Sequence, residues 1–169
     1  MRRYSWPTFV TGAPSMSFRI RGLPAAPFAD LFSMSDPQLS ARAAVRRRAA
    51  SKPGFPCRIS LTDAEVGEEV ILVHYEHHTV ASPFRASHAI YVRAGEQQYD
   101  AVDRVPPMLR SRLLSVRAFD ADGMLVDADI ADGADLEALI ERQFAQPQTQ
   151  YLHIHFARPG CYAARVDRA

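Results

Sequence analysis

The chain has 169 residues, of which 47% are hydrophobic and 23% charged, and its formal net charge is +1. These values fit one globular domain and exclude disorder, collagen, coiled coil and a disulfide-dense scaffold; a chain of this length buries about 70% of its unfolded surface and needs no staples. So small a net charge gives no general drive toward nucleic acid or membrane, and no run of 18 apolar residues offers a membrane span.

Residues 1–15 mix Pro, Gly, Ser and Thr without periodicity and read as an N-terminal extension, with the domain expected over 16–169 and Met16 as an alternative start. Arg2 and Arg3 are not followed by an apolar h-region, so no signal peptide is expected and the protein is assigned to the cytoplasm. Ser17 to Arg21 reads as a short strand ended by Gly22. Leu23 to Met34 predicts a helix with Phe28, Leu31 and Phe32 inward. A second helix is predicted from Asp36 as N-cap and Pro37 as first residue up to the stop at Pro53-Gly54, which places Arg46, Arg47 and Arg48 in its last turns.

After Gly54 the texture is that of strands: Cys57 to Leu61, Val70 to Tyr75, His88 to Arg93 and Arg112 to Phe119. Val70 to Tyr75 is apolar on both faces, as a covered central strand would be. Asp122-Gly123 marks a hairpin. A three-residue loop, Ala121 to Gly123, pairs Leu114 with Ile130 and Arg117 with Asp127; a two-residue loop would set Ala118 opposite Asp127. The first register keeps one face apolar and is preferred. Leu136, Leu139, Ile140 and Phe144 share one face of an amphipathic helix that starts after Asp132-Gly133 and stops before Pro147. Tyr151 to Ala157 is a strand with Leu152, Ile154 and Phe156 on one side and Tyr151, His153 and His155 on the other. A last strand covers Tyr162 to Val166. Helices, strands, a helix and strands, without βαβ alternation, predict an α+β fold: a mainly antiparallel sheet with about three flanking helices.

The charge is unevenly spread. Residues 1–58 hold nine Arg and one Lys against Asp30 and Asp36, while residues 59–169 hold ten Arg against 17 acids. The basic first third is expected to pack against the acidic remainder rather than to bind nucleic acid.

Six histidines and two cysteines supply the candidate chemistry. His153 and His155, on one strand face, lie about 6–7 Å apart along the backbone. His74, Glu76 and His78 share a face in the same manner, with His77 and His88 close in sequence. The plainer reading is hydrogen-bonded histidines on a half-polar sheet face, since no complete zinc ligand spacing appears; no metal ligand set is assigned and no cofactor is named. Cys57 follows Pro53-Gly54-Phe55-Pro56 and precedes Arg58, a positive charge that would favour thiolate, although a free cysteine is more often a small buried residue. A structural disulfide to Cys161 is disfavoured in a reducing compartment. Arg85, Ser87 and His88, in the polar connection after Ser82, can line an anion pocket or simply face solvent. Asp120, Asp122, Asp127, Asp129 and Asp132 fail the EF-hand pattern and are explained by turns, pairs and caps. G-x-S-x-G, Walker A, G-x-G-x-x-G and H-E-x-x-H motifs are absent from the sequence.

Three stretches together resemble a known family. They are Phe18-Arg19-Ile20-Arg21-Gly22-Leu23; Pro53-Gly54-Phe55-Pro56-Cys57-Arg58 with Asp63-Ala64 and Gly67-Glu68; and His155 to Ala169 with Gly160-Cys161-Tyr162-Ala163-Ala164-Arg165. They are similar to small bacterial proteins catalogued as domain of unknown function 1203, over about residues 16–169. The resemblance implies no activity, but it singles out Cys57, Arg58, Cys161, Tyr162 and Arg165. Some members carry further cysteines near both boxes, where this chain has Ser60 and Ala164; were those thiols metal ligands, this chain would lack two of them.

The resulting expectation is a small-molecule enzyme. Cys57, His153 and His155 are its catalytic candidates, and Arg58, Arg85, Ser87, His88, Cys161, Tyr162 and Arg165 bind a small anionic ligand. A non-catalytic binding or interaction domain using the same arginines is the alternative, and a His-based metalloprotein the third reading. Reaction, substrate and oligomeric state are not legible in the sequence.

Overall fold

The computed structural model describes residues 16–169, so the expected extension over 1–15 lies outside the described residues. In chain order the strands are β1 (Phe18–Arg21), β2 (Ala44–Arg48), β3 (Pro56–Cys57), β4 (Thr62–Asp63), β5 (Glu69–His78), β6 (Ala86–Val92), β7 (Asp100–Val102), β8 (Leu113–Phe119), β9 (Leu125–Asp132), β10 (Tyr151–Phe156) and β11 (Tyr162–Arg168). The α-helices are α1 (Asp36–Ala41), α2 (Pro107–Arg110) and α3 (Leu136–Phe144), with 3-10 helices at Ala26–Ser33 and Gly133–Asp135.

The expected single sheet is in fact two. One has six antiparallel strands in the order β7-β1-β11-β10-β8-β9, the other five in the order β2-β5-β6-β3-β4, antiparallel except where β3 meets β6 at Cys57 and Tyr91. The protein is mostly sheet, with short helices at its margins. In the six-stranded sheet β10 is central and all six of its residues are buried. Leu152, Ile154 and Phe156 join a core with Leu136, Leu139, Ile140 and Phe144 of α3, as the alternation of the strand and the helical spacing require. The opposite face of β10 meets the five-stranded sheet, where the His78 ring bonds the Tyr151 hydroxyl at 2.7 Å.

Three sequence expectations are overturned. The helix expected from Asp36 ends at Ala41, with Ser35 rather than Asp36 as its N-cap; Ala43 takes a left-handed φ of 48°, and the three arginines continue as strand β2. Pairing wins over helix propensity because β2 completes the free edge of β5, and Arg46 is held there by Glu69, Asp36 and the Met34 carbonyl. The segment Cys57–Leu61 is a strand for its first residue only, and 58–61 form a turn. In the β8–β9 hairpin Gly123 does take φ 75°, and Phe119 faces Leu125 in the preferred register. A bulge at Val126 then shifts the rest by one, so that Ala118 faces Asp127 and Leu114 faces Ala131. The expected Arg117–Asp127 pair is therefore lost; Gln146 donates to Asp127 and Arg142 pairs with Asp129. The helix expected over Leu23 to Met34 is a 3-10 helix, with Phe28 and Leu31 buried.

Bases of the first third do pair with acids of the remainder: Arg19 with Asp100, Arg21 with Asp167, Arg46 with Glu69 and Lys52 with Glu65. Among the described residues no helix is long and apolar enough to cross a membrane.

Candidate functional site

A cleft of about 710 Å³ opens between the two sheets. Its walls include Arg58, Tyr91 and His88 from the five-stranded side and Ser111, Arg112, Phe156, Arg158 and Cys161 from the six-stranded side. Arg58 is placed by its backbone: its N–H donates to the Tyr91 carbonyl at 2.9 Å and its carbonyl accepts from the Leu23 N–H at 2.7 Å. The side chain turns inward and is 1% exposed. There Nε donates to the Tyr162 carbonyl at 2.8 Å, Nη1 to the Pro56 carbonyl, and Nη2 to Cys161 Sγ at 2.9 Å. None of these partners is a carboxylate.

Burial pulls the Arg58 pKa below its ordinary value, opposed by the nearby sulfurs of Cys161 and Cys57; a guanidinium keeps its proton regardless. The Phe156 ring lies 4.9 Å from the Arg58 guanidinium carbon and 5.1 Å from that of Arg112, so two cations share one aromatic face region. Arg112 is held by Asp63 at 2.6 Å. Arg158, in the turn between β10 and β11, is exposed at the rim. With Arg112 neutralised by Asp63, Arg58 and Arg158 against Asp132 leave the lining with a small excess of positive charge. The cleft sets positive charge beside a sulfur atom.

A second cluster lies in the seam between the sheets. His153 and His155 do share one face of β10, as the alternation requires, and both are buried. Across from them β5 carries a bulge at His77, which interrupts the pairing between Glu76–Ser87 and His78–Ala86. The bulge breaks the expected common face of His74, Glu76 and His78. Instead His77 and His78 both meet His153, with ring centroids 5.7 and 4.9 Å away, while His74 is exposed. Tyr162 stacks on His77 at 4.7 Å. Burial, foremost, pushes the imidazoles down, to about 2 for His153, about 3 for His155 and about 4 for His77. Burial likewise pushes the Tyr162 phenol up.

The ten expected site residues therefore do not form one pocket. Arg58, His88 and Cys161 line the cleft. His153, His155 and Tyr162 belong to the seam. Cys57 is fully buried in an apolar cluster with Ile59, Val92 and Tyr162. Arg85 is exposed and bound to Glu76, and Ser87 is exposed on β6. Arg165 lies 4.0 Å over the Tyr151 ring and pairs with Asp167. Sequence reasoning missed Arg112, Arg158 and His77 as site residues. Arg158-Pro159-Gly160 carried a turn signal that could have marked a rim arginine, but no local signal announces a bulge at His77.

No curated protein and no solved structure matches the chain. Residues 54–168, which include Pro56-Cys57-Arg58 and Cys161-Tyr162, match the profile of a family described as "Protein of unknown function (DUF1203)". The chain belongs to that family.

Proposed function

We propose that the cleft binds a small anionic molecule and presents it to the Cys161 thiol. The observation that carries the reading is the buried Arg58 guanidinium, which donates to Cys161 Sγ at 2.9 Å on the cleft wall and, among the described residues, has no carboxylate partner. The guanidinium gives that sulfur a fixed hydrogen-bond donor and a counter-charge on the side where a cysteine nucleophile develops its negative charge. Arg158, exposed at the rim, adds charge and hydrogen-bond donors suited to a carboxylate or phosphate. The reactive role thus moves from Cys57 to Cys161, with His88, which lines the same cleft, as the imidazole for proton transfer.

Alkylation tests the reading. In a Cys57→Ala background, iodoacetate and iodoacetamide each react with Cys161 by attack of the thiolate on the CH2 carbon, forming S–C and releasing iodide. The two reagents differ in carrying a carboxylate or a neutral amide. Relative to free glutathione, the iodoacetate-to-iodoacetamide rate ratio is expected to rise about tenfold or more, and Arg158→Ala is expected to lower it. A ratio equal to that of glutathione overturns the anion site. A binding module without thiol chemistry would leave Cys161 inert to both reagents in the folded protein, which overturns the nucleophile.

A further inference from the structure

The seam cluster is separate from the cleft and is built from opposite sheets. β10 supplies His153 and His155 at alternate positions, and the bulge of β5 delivers His77 to the same point. Bulges re-aim single side chains and are frequent beside functional sites. One candidate ligand atom from each of the three rings lies within 4.8 Å of the other two.

Their bonding is incomplete in a way that the rest of the seam is not. Among the described residues, Nδ1 of His77, Nδ1 of His153 and Nε2 of His155 are all buried without a hydrogen-bond partner. Buried polar atoms are almost always paired, so one such orphan on each of three clustered rings requires a cause. The neighbouring His78 is saturated, with Nδ1 2.8 Å from the Phe84 carbonyl and Nε2 2.7 Å from the Tyr151 hydroxyl, and has nothing to offer a ligand. His155 has its Nδ1 2.9 Å from the Gly160 carbonyl. A carbonyl only accepts, so Nδ1 carries the proton and Nε2 presents a lone pair. This outer bond is the one that metal-ligating histidines make to fix tautomer and ring orientation.

We infer that His77, His153 and His155 form a binding site for one divalent first-row transition ion, with Zn2+ the foremost candidate. An uncharged set of three imidazoles suits zinc, copper, nickel or iron, not magnesium or calcium, which take oxygen ligands. Zinc held about 2.0–2.1 Å from each nitrogen sets the nitrogens roughly 3.3 Å apart, inside the 4.8 Å within which the three ligand atoms lie. His77 is the half-buried member and lies on the bulge, so the open side of the site faces it. Three protein ligands leave a fourth position for water or an exogenous group. The inference stands independently of the anion cleft.

Metal-free full-length protein titrated with Co2+ is expected to bind one equivalent and develop the intense visible bands of a four-coordinate ion, which Zn2+ then bleaches. His77→Ala removes a ligand at a half-buried position. It is expected to weaken Zn2+ binding by more than the roughly 10–100-fold that loss of an outer partner costs, with an unchanged far-ultraviolet circular dichroism spectrum. His74→Ala, on the exposed part of the same strand, keeps the affinity of the parent. Absence of the visible bands at saturating Co2+, together with no competition for Zn2+ against a chromophoric chelator, overturns the site in the parent protein itself, whatever the variants do. Equal affinity in His77→Ala and the parent, or equal loss in His74→Ala, overturns the assignment of these ligands.

Discussion

Burial treats the charges of Arg58 and of the seam histidines in opposite ways. A guanidinium cannot give up its proton, so Arg58 is 1% exposed as a cation and collects two carbonyls and a sulfur around itself. An imidazole can, and His153 and His155 escape the cost by staying neutral. Protons that the folded state refuses are still taken up by the unfolded chain below about pH 6.5. The neutral imidazoles thus favour the metal-free fold fully above that pH, and the advantage falls as pH drops toward about 3, where His155 begins to protonate in place. His78, Arg165, Arg117, His77 and His88 all act in the same direction on this pair. For His153 and His155 the loss is up to about 1.4 kcal/mol per pH unit each. The urea midpoint of metal-free protein is expected to fall from pH 7 to pH 5, a range in which ordinary carboxylates are still ionised; a constant midpoint contradicts it.

At the scale of elements, three bulges decide what the strands can do. The bulge at His77 turns two adjacent histidines toward the seam, and the one at Val126 moves the acidic strand β9 one residue along β8. A third, at Ala163, puts Tyr162 opposite His155 on the histidine side of β11. The turn that carries Arg58 is equally constrained, since Gly22 passes directly beneath it. A Cβ at Gly22 would fall far inside contact with the Ile59 carbonyl oxygen and press on that of Arg58. Both obstacles are backbone, pinned by the bond from the Leu23 N–H to Arg58 at 2.7 Å and that from the Tyr99 N–H to Ile59 at 2.8 Å. Gly22→Ala is therefore expected to cost about 2–4 kcal/mol of stability and to slow alkylation of Cys161 by iodoacetate, because Arg58 shifts with its turn. Chemical denaturation and the alkylation rate check both effects, and a variant as stable as the parent contradicts them.

Across the whole molecule, the two sheets share no strand ladder among the described residues and meet through side chains and a few main-chain bonds at the 58–61 turn. A ligand that bridges His77 on one sheet with His153 and His155 on the other would tie them together. Zn2+ at about 100 times its dissociation constant adds about 2.7 kcal/mol to the folded state, which raises Tm by roughly 5–10 °C in a domain of this size. Thermal melts with and without Zn2+ should show that rise in the parent and lose it in His77→Ala.

Periodicity alone determined α3 and β10, because the spacing of Leu136, Leu139, Ile140 and Phe144, or the alternation of Leu152, Ile154 and Phe156, records which face meets the core, while strand length and residue content marked β8. The same local logic put His153 and His155 side by side, and the Pro-Cys-Arg and Cys-Tyr segments marked the family. Whether 44–48 became helix or strand was decided elsewhere, by an unfilled edge on β5. Tertiary structure alone seated Arg58 on Cys161, buried Cys57, and carried His77 to the other histidines. Each of those contacts joins residues dozens of positions apart, and the free energy that selects them comes from burial and pairing across sheets, which no local window of residues contains.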